Sequence, residues 1–322
     1  MAYSSGGLIQ ATDYNGFAST TAGANVNDIW STGSGDNGWG QSALSTVSAL
    51  GVVTATNWAS LVNTISSMGS QTGTTITSRS APTTGTLIAV LAALNTDLTN
   101  ITANRNNAVA VGTQYTGWTG TNSKTTAPAA GAFTITFTNT VTFASAAAAR
   151  YFFNGGGLIK LQTSKTATGD LGDPEWNDLA NNLCGVIYFS GAAAAHTIAA
   201  VSYTGTTKIG GTGTPTTLST ATGAYALTPG GAATVIYKQF ADSAPYTSNY
   251  IQTTAAINAG STELTFVTTW VNAEGDPISG GTASSGATPG TAPTTICTYV
   301  PPSGTYLTSA SWGTPTVAAT TA

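Results

Sequence analysis

Two hydrophobic rhythms divide this chain. Up to about residue 109 the apolar positions recur in steps of three and four. Trp58, Leu61, Val62, Ile65 and Met68 follow the i, i+3, i+4, i+7 spacing of a helix with one buried stripe. Thr54 or Thr56 is placed to cap its start, and Gly69 falls where a terminating glycine belongs. A second helix is predicted after Pro82, capped by Thr83 or Thr84. Its Leu87, Leu91, Leu94, Leu98 and Ile101 alternate in steps of four and three, a heptad seam that Arg105 and Ala108 continue. That seam suits packing on the first helix or a short self-associating bundle. Beyond Gly112 the period drops to two. Phe133, Ile135 and Phe137 alternate with threonines, and Val141 and Phe143 repeat the pattern, which predicts a half-buried antiparallel pair.

Further strands are predicted at Leu158–Leu161, Val186–Phe189, Thr197–Tyr203, Ala232–Phe240, Tyr250–Ile257, Thr262–Asn272, Thr295–Val300 and Tyr306–Trp312. In the sixth of these Leu264, Phe266, Thr268 and Trp270 share one face. One helix interrupts the β region, with Asp173 as cap, Pro174 at its first position, and Trp176, Leu179 and Leu183 on one side. Residues 275–295 read as a long loop. Residues 1–45 are rich in turn formers, yet Tyr14, Phe17, Ile29, Trp30 and Trp39 run through them, the composition of an ordered arm. The expected fold is therefore α+β and mostly β. Residues 1–125 form an arm and a two-helix attachment region, and residues 126–322 a sandwich-like antiparallel domain with one inserted helix.

Charge changes the picture most. Only 20 of 322 residues are charged, 8 basic and 12 acidic, or 6 %; an ordinary domain carries about 25 %. Threonine, alanine, glycine, serine and asparagine stand in their place, and mean hydropathy is only +0.10. A surface of hydroxyls, amides and methyls is cheap to desolvate, so it suits repeated contact between subunits. A net charge of −4 offers no basic patch to nucleic acid. The first basic residue is Arg79, so MAYSSGGLIQ lacks the basic start of a secretory signal. The apolar stretch Cys184–Tyr203 is interrupted by Gly185, Ser190, Gly191 and His196, and fits two strands joined by a small-residue turn better than a membrane span. Cys184 and Cys297 lie outside any CxxC pattern and read as buried free thiols of a chain that folds in a cytoplasm.

Candidate chemistry is thin. Asp170, Asp173, Glu175 and Asp178 could hold Ca²⁺, but the helix start explains their placement. Asp28 and Asp36 could bind a cation through the glycine loop, or serve as turn formers. The one histidine, His196, follows four alanines, and no GxSxG elbow accompanies it. No HExxH, P-loop or dinucleotide fingerprint occurs, and only three glutamates exist for glycosidase-type chemistry. No catalytic, cofactor or metal residue is expected. Tyrosines 203, 225, 246 and 250 lie where an adhesive surface would sit.

Three blocks carry a resemblance: Gly35-Asp36-Asn37-Gly38-Trp39-Gly40-Gln41, Trp58-Ala59-Ser60-Leu61-Val62-Asn63, and above all Ala149-Arg150-Tyr151-Phe152-Phe153-Asn154 with the glycine triplet 155–157. With Trp176-Asn177-Asp178-Leu179 and Gly185–Phe189 after them, they resemble uncharacterised structural proteins of tailed-bacteriophage virions over roughly residues 10–190. The resemblance implies a structural role in the particle; the reading it leads to is a non-enzymatic subunit, tail- or fibre-associated with capsid decoration as a variant, located in the virion after assembly in the host cytoplasm. Its partners would be copies of itself, other virion proteins and a host-surface glycan, without nucleic acid or membrane insertion. A cell-surface adhesin, an S-layer-like subunit or an extracellular-filament subunit is the alternative. Within the third block Arg150 is expected to pair with an acid or with carbonyl groups and anchor a strand, with Tyr151, Phe152 and Phe153 burying area on both faces.

Overall fold

Alternating burial along the strands builds two antiparallel sheets, seen in a computed structural model that describes residues 10–19, 25–84, 91–109, 120–123, 132–166, 173–191, 195–274, 278–279, 282–283 and 293–321. One sheet has the order β1 (Gly120–Ser123), β14 (Thr294–Val300), β3 (Leu158–Ser164), β4 (Val186–Phe189) and β7 (Thr206–Ile209). The other runs β15 (Thr316–Thr321), β2 (Phe133–Thr142), β11 (Glu263–Asn272), β10 (Tyr250–Ile257), β9 (Thr234–Phe240) and β8 (Thr217–Leu218). Leu264, Phe266, Thr268 and Trp270 are all buried on one face, as their alternation predicts. Phe189 of one sheet meets Phe266 of the other edge-on, with ring centroids 5.2 Å apart. The Tyr237 hydroxyl donates to the Cys184 carbonyl at 3.1 Å. The sheets therefore face one another as a sandwich. Their edges also meet. A Cβ on Gly120 of β1 would lie 2.4 Å from Val317 of β15, and Thr206 N–H of β7 donates to the carbonyl of Ser219, which follows β8.

Helices close the two open ends. At the end where β2 begins and β11 finishes, α6 (Asp173–Asp178), extended by a wide π turn over Leu179–Leu183, stacks Trp176 on Trp270 at 5.7 Å. At the opposite end α5 (Ala146–Asn154) inserts Phe152 and Phe153 among Phe143, Phe189 and Tyr299. Over that end lies the N-terminal layer of α1 (Ala11–Ala18), α2 (Val26–Trp30), α3 (Ala55–Thr72) and α4 (Leu91–Ala103). Tyr14 and Phe17 of α1 meet Trp58 of α3 edge-on, and Leu94, Leu98 and Ile101 are wholly buried. One continuous hydrophobic cluster runs from Tyr14 through these helices into both sheets. The fold is mixed α+β, and mostly β toward the C-terminus.

Several elements differ from expectation for local reasons. The Ala146–Phe153 segment is a helix, not a strand: four alanines favour helix, and Ser145 Oγ accepts from Ala148 N–H as cap. Two helices, not one, therefore interrupt the β region. Phe133–Phe143 holds one long strand rather than a pair, because its alternation continues unbroken through Asn139. Thr197–Tyr203 splits into a hairpin, β5 (His196–Ile198) and β6 (Val201–Tyr203), turned by Ala199 and Ala200 at positive φ. Helix α3 ends at Gly73, whose φ is 67°; Gly69 is instead a close-packing point, where a Cβ would lie 2.9 Å from Ile76. Tyr306–Trp312 is turn and 3-10 backbone, and the last strand lies beyond it at β15. The turn-rich arm contains two short helices. Much of the long 275–295 loop lies outside the described residues; within it Ile278–Ser279 (β12) pairs with Thr282–Ala283 (β13).

Candidate functional site

The feature that joins the two halves of the chain is a glycine loop docked on α5. Asp28, buried in α2, holds the loop from inside. Its carboxylate accepts from Ser34 N–H (2.9 Å), Ser34 Oγ (2.6 Å) and Asn37 Nδ2 (3.0 Å). This is turn chemistry rather than cation binding with Asp36, which is exposed. Trp39 is buried against Trp30, and its N–H donates to the Ile29 carbonyl at 2.8 Å. At Gly40 the chain takes φ 70° and lies so near Tyr151 that a Cβ would sit 2.3 Å from its ring.

Folded this way, the loop turns a set of carbonyls toward α5. Arg150 donates from Nη1 to the Gly35 carbonyl (2.7 Å) and from Nη2 to the Thr32 carbonyl (2.9 Å). One turn further on, Asn154 Nδ2 donates to the carbonyls of Asp36 (2.7 Å) and Gly38 (2.9 Å). The i, i+4 spacing puts both side chains on one helix face. Tyr225 completes the clamp, its hydroxyl within reach of Asn154 Oδ1 (2.9 Å) and the Arg150 carbonyl (3.1 Å). Burial pushes that phenol far above its ordinary pKa; the Asp36 charge adds to the shift and Arg150 opposes it. Arg150 thus uses carbonyl groups, as one of the two expected options had it, but it anchors a helix to a loop. The ion pair among the described residues is Arg79–Asp97.

Two cavities of about 320 Å³ each flank Tyr225. The first lies between the loop and the end of α4, lined by Asp36, Asn37, Trp39, Arg105, Asn154 and Tyr225 among others. The second lies beside α5 and is walled chiefly by Ala146, Ala147, Phe153, Leu227, Pro229 and Ile257, with Asp36, Arg150 and Glu263 also present. Neither lining includes histidine or cysteine. These walls offer hydrogen bonds, charged groups and apolar contact.

The acidic cluster is assembled differently from its spacing in the chain. Asp170 lies outside the described residues. Glu175 and Asp178 are joined by Asp242 from the β9–β10 connection, with carboxylate oxygens within 4.8 Å of one another. Asp178 accepts from Asn182 and Asp242 from Ser243. Burial raises the Glu175 pKa; the Ser243 backbone hydrogen bond opposes this, and the charges of Asp242 and Asp178 add to it. Among the described residues these three carboxylates are the group that could hold a divalent cation.

The other predicted residues have structural places. Leu94, Leu98 and Ile101 face the core of their own chain, so the described part of the heptad seam is filled from within. Leu91 begins α4 and Leu87 lies outside the described residues. Tyr151, Phe152 and Phe153 are all buried. His196 is buried and stacked on Tyr203. Tyr246 is buried, Tyr225 is spent on the clamp, and Tyr250 receives the Lys238 ammonium 3.7 Å from its ring centre. Cys184 and Cys297 are buried free thiols. Sequence reasoning named Asn154 within the third block and Tyr225 as a candidate for an adhesive surface, but not their part in the clamp, which rests on backbone carbonyls and on their own mutual hydrogen bond. It also passed over the apolar run Leu50-Gly51-Val52, visible as a hydrophobic stretch outside any helical or strand period. No known family model, curated protein or solved structure matches this chain.

Proposed function

We propose that this chain is a non-enzymatic structural subunit that works by associating with copies of itself, as a tail- or fibre-associated component of a tailed-phage virion. The observation that carries the reading is how its few charges are used. Asp28 is consumed by the glycine loop, Arg79 and Asp97 by each other, and Arg150 by loop carbonyls. Leu50 and Val52 meanwhile stand 104 % and 82 % exposed. A charge-poor exterior offers little repulsion between subunits. The virion setting is supported by the resemblance of the Gly35–Gln41 and Ala149–Gly157 blocks, the same two segments that clamp together here. In that setting the chain would also contact other virion proteins and a host-surface glycan. Sedimentation across a wide concentration range tests self-association, and labelled antibody with electron microscopy of phage particles tests location. Assembly with concentration and label on tails is the expected result; a monomer at the highest attainable concentration, or particles without label, refutes the corresponding half.

A further inference from the structure

The Leu50 tip is built to be held out. Residues 44–53 leave the glycine loop and return to α3, fixed at both ends. Asn27 pairs with the backbone of Leu44, its Nδ2 donating to the carbonyl (2.8 Å) and its Oδ1 accepting from the N–H (2.8 Å). Asn15 does the same for Val47 at 2.7 and 2.8 Å. Leu44, Val47 and Val53 pack against the core. Between these anchors the chain makes a turn closed by Gly51 N–H donating to the Ser48 carbonyl (2.8 Å). Leu50 takes the third place of that turn with φ 65°, a position that favours glycine or asparagine over a branched side chain. So an unfavourable backbone conformation and full solvent exposure fall on one leucine, with Val52 beside it. Strain held at an ordered position points to a role for the side chain.

The same chain carries a matching hollow. The cavity beside α5 is about 320 Å³, with exposed Ala146 and Pro229 at its mouth, Leu227 and Ile257 in its apolar wall, and Asp36, Arg150 and Glu263 also lining it. That volume lies in the range of roughly 300–1,000 Å³ typical of sites that engulf small groups, and it suits a pair of aliphatic side chains. The tip also brings no charge to be buried: residues 37–78 contain no Asp, Glu, Lys, Arg or His. Tip and hollow have no residue in common, so one subunit can offer both at once.

We infer that the Leu50–Val52 tip of one subunit seats in the Ala146–Ile257 cavity of a second copy, a head-to-tail contact. The inference rests on the self-association proposed above and specifies its geometry. A contact between two different patches of identical subunits propagates into a ring or an open filament rather than stopping at a two-fold dimer.

The test uses two full-length variants. Leu50→Asp spoils the tip and keeps the hollow, and Asp tolerates the backbone conformation there. Ala146→Trp fills the mouth and keeps the tip. Sedimentation equilibrium should show wild type forming higher oligomers, with each variant alone needing at least tenfold higher concentration to associate. An equimolar mixture of the two should form a one-to-one dimer and nothing larger, because only one productive contact remains. That dimer also proves both variants folded. If either variant assembles like wild type, or the mixture of two monomeric variants stays monomeric, the contact is overturned while self-association stands. If wild type itself is monomeric throughout, both readings fall.

Discussion

Replacing Arg150 with alanine should detach the glycine loop from α5 without disturbing the sandwich beneath. The guanidinium donates two short hydrogen bonds, to Gly35 and Thr32 carbonyls, and lies 5.1 Å from the Tyr151 ring centre. A hydrogen bond involving a charged group contributes about 1.5–3 kcal/mol net when buried. Arg150 is half-buried, which brings each bond toward about 1 kcal/mol, so the pair contributes about 2 kcal/mol. At about 2–4 °C per kcal/mol for a large domain, the melting temperature should fall by about 4–8 °C. Trp39, carried by the loop, and its neighbour Trp30 report detachment through their fluorescence. Arg150→Lys should recover part of the loss, since an ammonium lacks the fork that reaches both carbonyls. Asn154→Ala should cost a comparable amount, and the double variant should be non-additive by about 0.5 kcal/mol or more, because both side chains hold one loop. A change under about 0.5 kcal/mol for Arg150→Ala, the size of an indifferent surface substitution, would refute the clamp. Loss of assembly with unchanged melting would make Arg150 a contact residue instead.

Leu98→Ala should destabilise by about 2–5 kcal/mol in chemical denaturation, because Leu98 is wholly buried in its own chain and the substitution leaves a cavity; a near-neutral result would return the heptad seam to a role between subunits. Glu175 has a raised pKa in the folded protein, so the native state binds its proton more tightly than the unfolded chain does. Its stabilising contribution is present below the ordinary glutamate range and is lost as pH rises through the raised value. In chelator-containing buffer, Glu175→Gln should therefore melt above wild type at pH 7 and lose that advantage near pH 4; a lower melting temperature at pH 7 would contradict the reading. Burial pushes the Cys184 thiol up to about 11 and raises Cys297 as well, so a thiol reagent at pH 8 should modify neither in native protein and both in denaturant. Rapid native labelling would show that either site opens.

Where side chains alternate against a core, the chain spells out its own structure. Strand β11 shows this best: Leu264, Phe266, Thr268 and Trp270 satisfy period two and nothing else, and strand and buried face both follow. Tyr151-Phe152-Phe153 defeats the same logic. Three consecutive aromatics fit either period, and the helix is decided by Ser145 and the alanines before them. Strand β15 was illegible because it lies at a sheet edge with mostly exposed positions and is made of threonine and alanine around Val317. The clamp was half legible. Arg150 stood out as one of three arginines, but its partners are carbonyls, which every residue carries and whose direction depends on glycines at positive φ. The acidic cluster needed Asp242, 64 positions beyond Asp178, and only the fold brings them together.

The meeting of the sheet edges has a consequence for how such a protein stays well behaved. An unpaired strand edge is a template for any passing strand, and most proteins guard theirs with lysines, prolines or mutual charge repulsion. This chain has given up nearly all of that protection with its charges. With β1 lying against β15 and β7 against β8, part of each described edge of the two large sheets faces the other sheet rather than standing open for another chain to extend. Copies crowded together at high local concentration are then steered toward contacts between side chains, which can be specific and reversible, and away from strand-by-strand growth into amyloid-like aggregates.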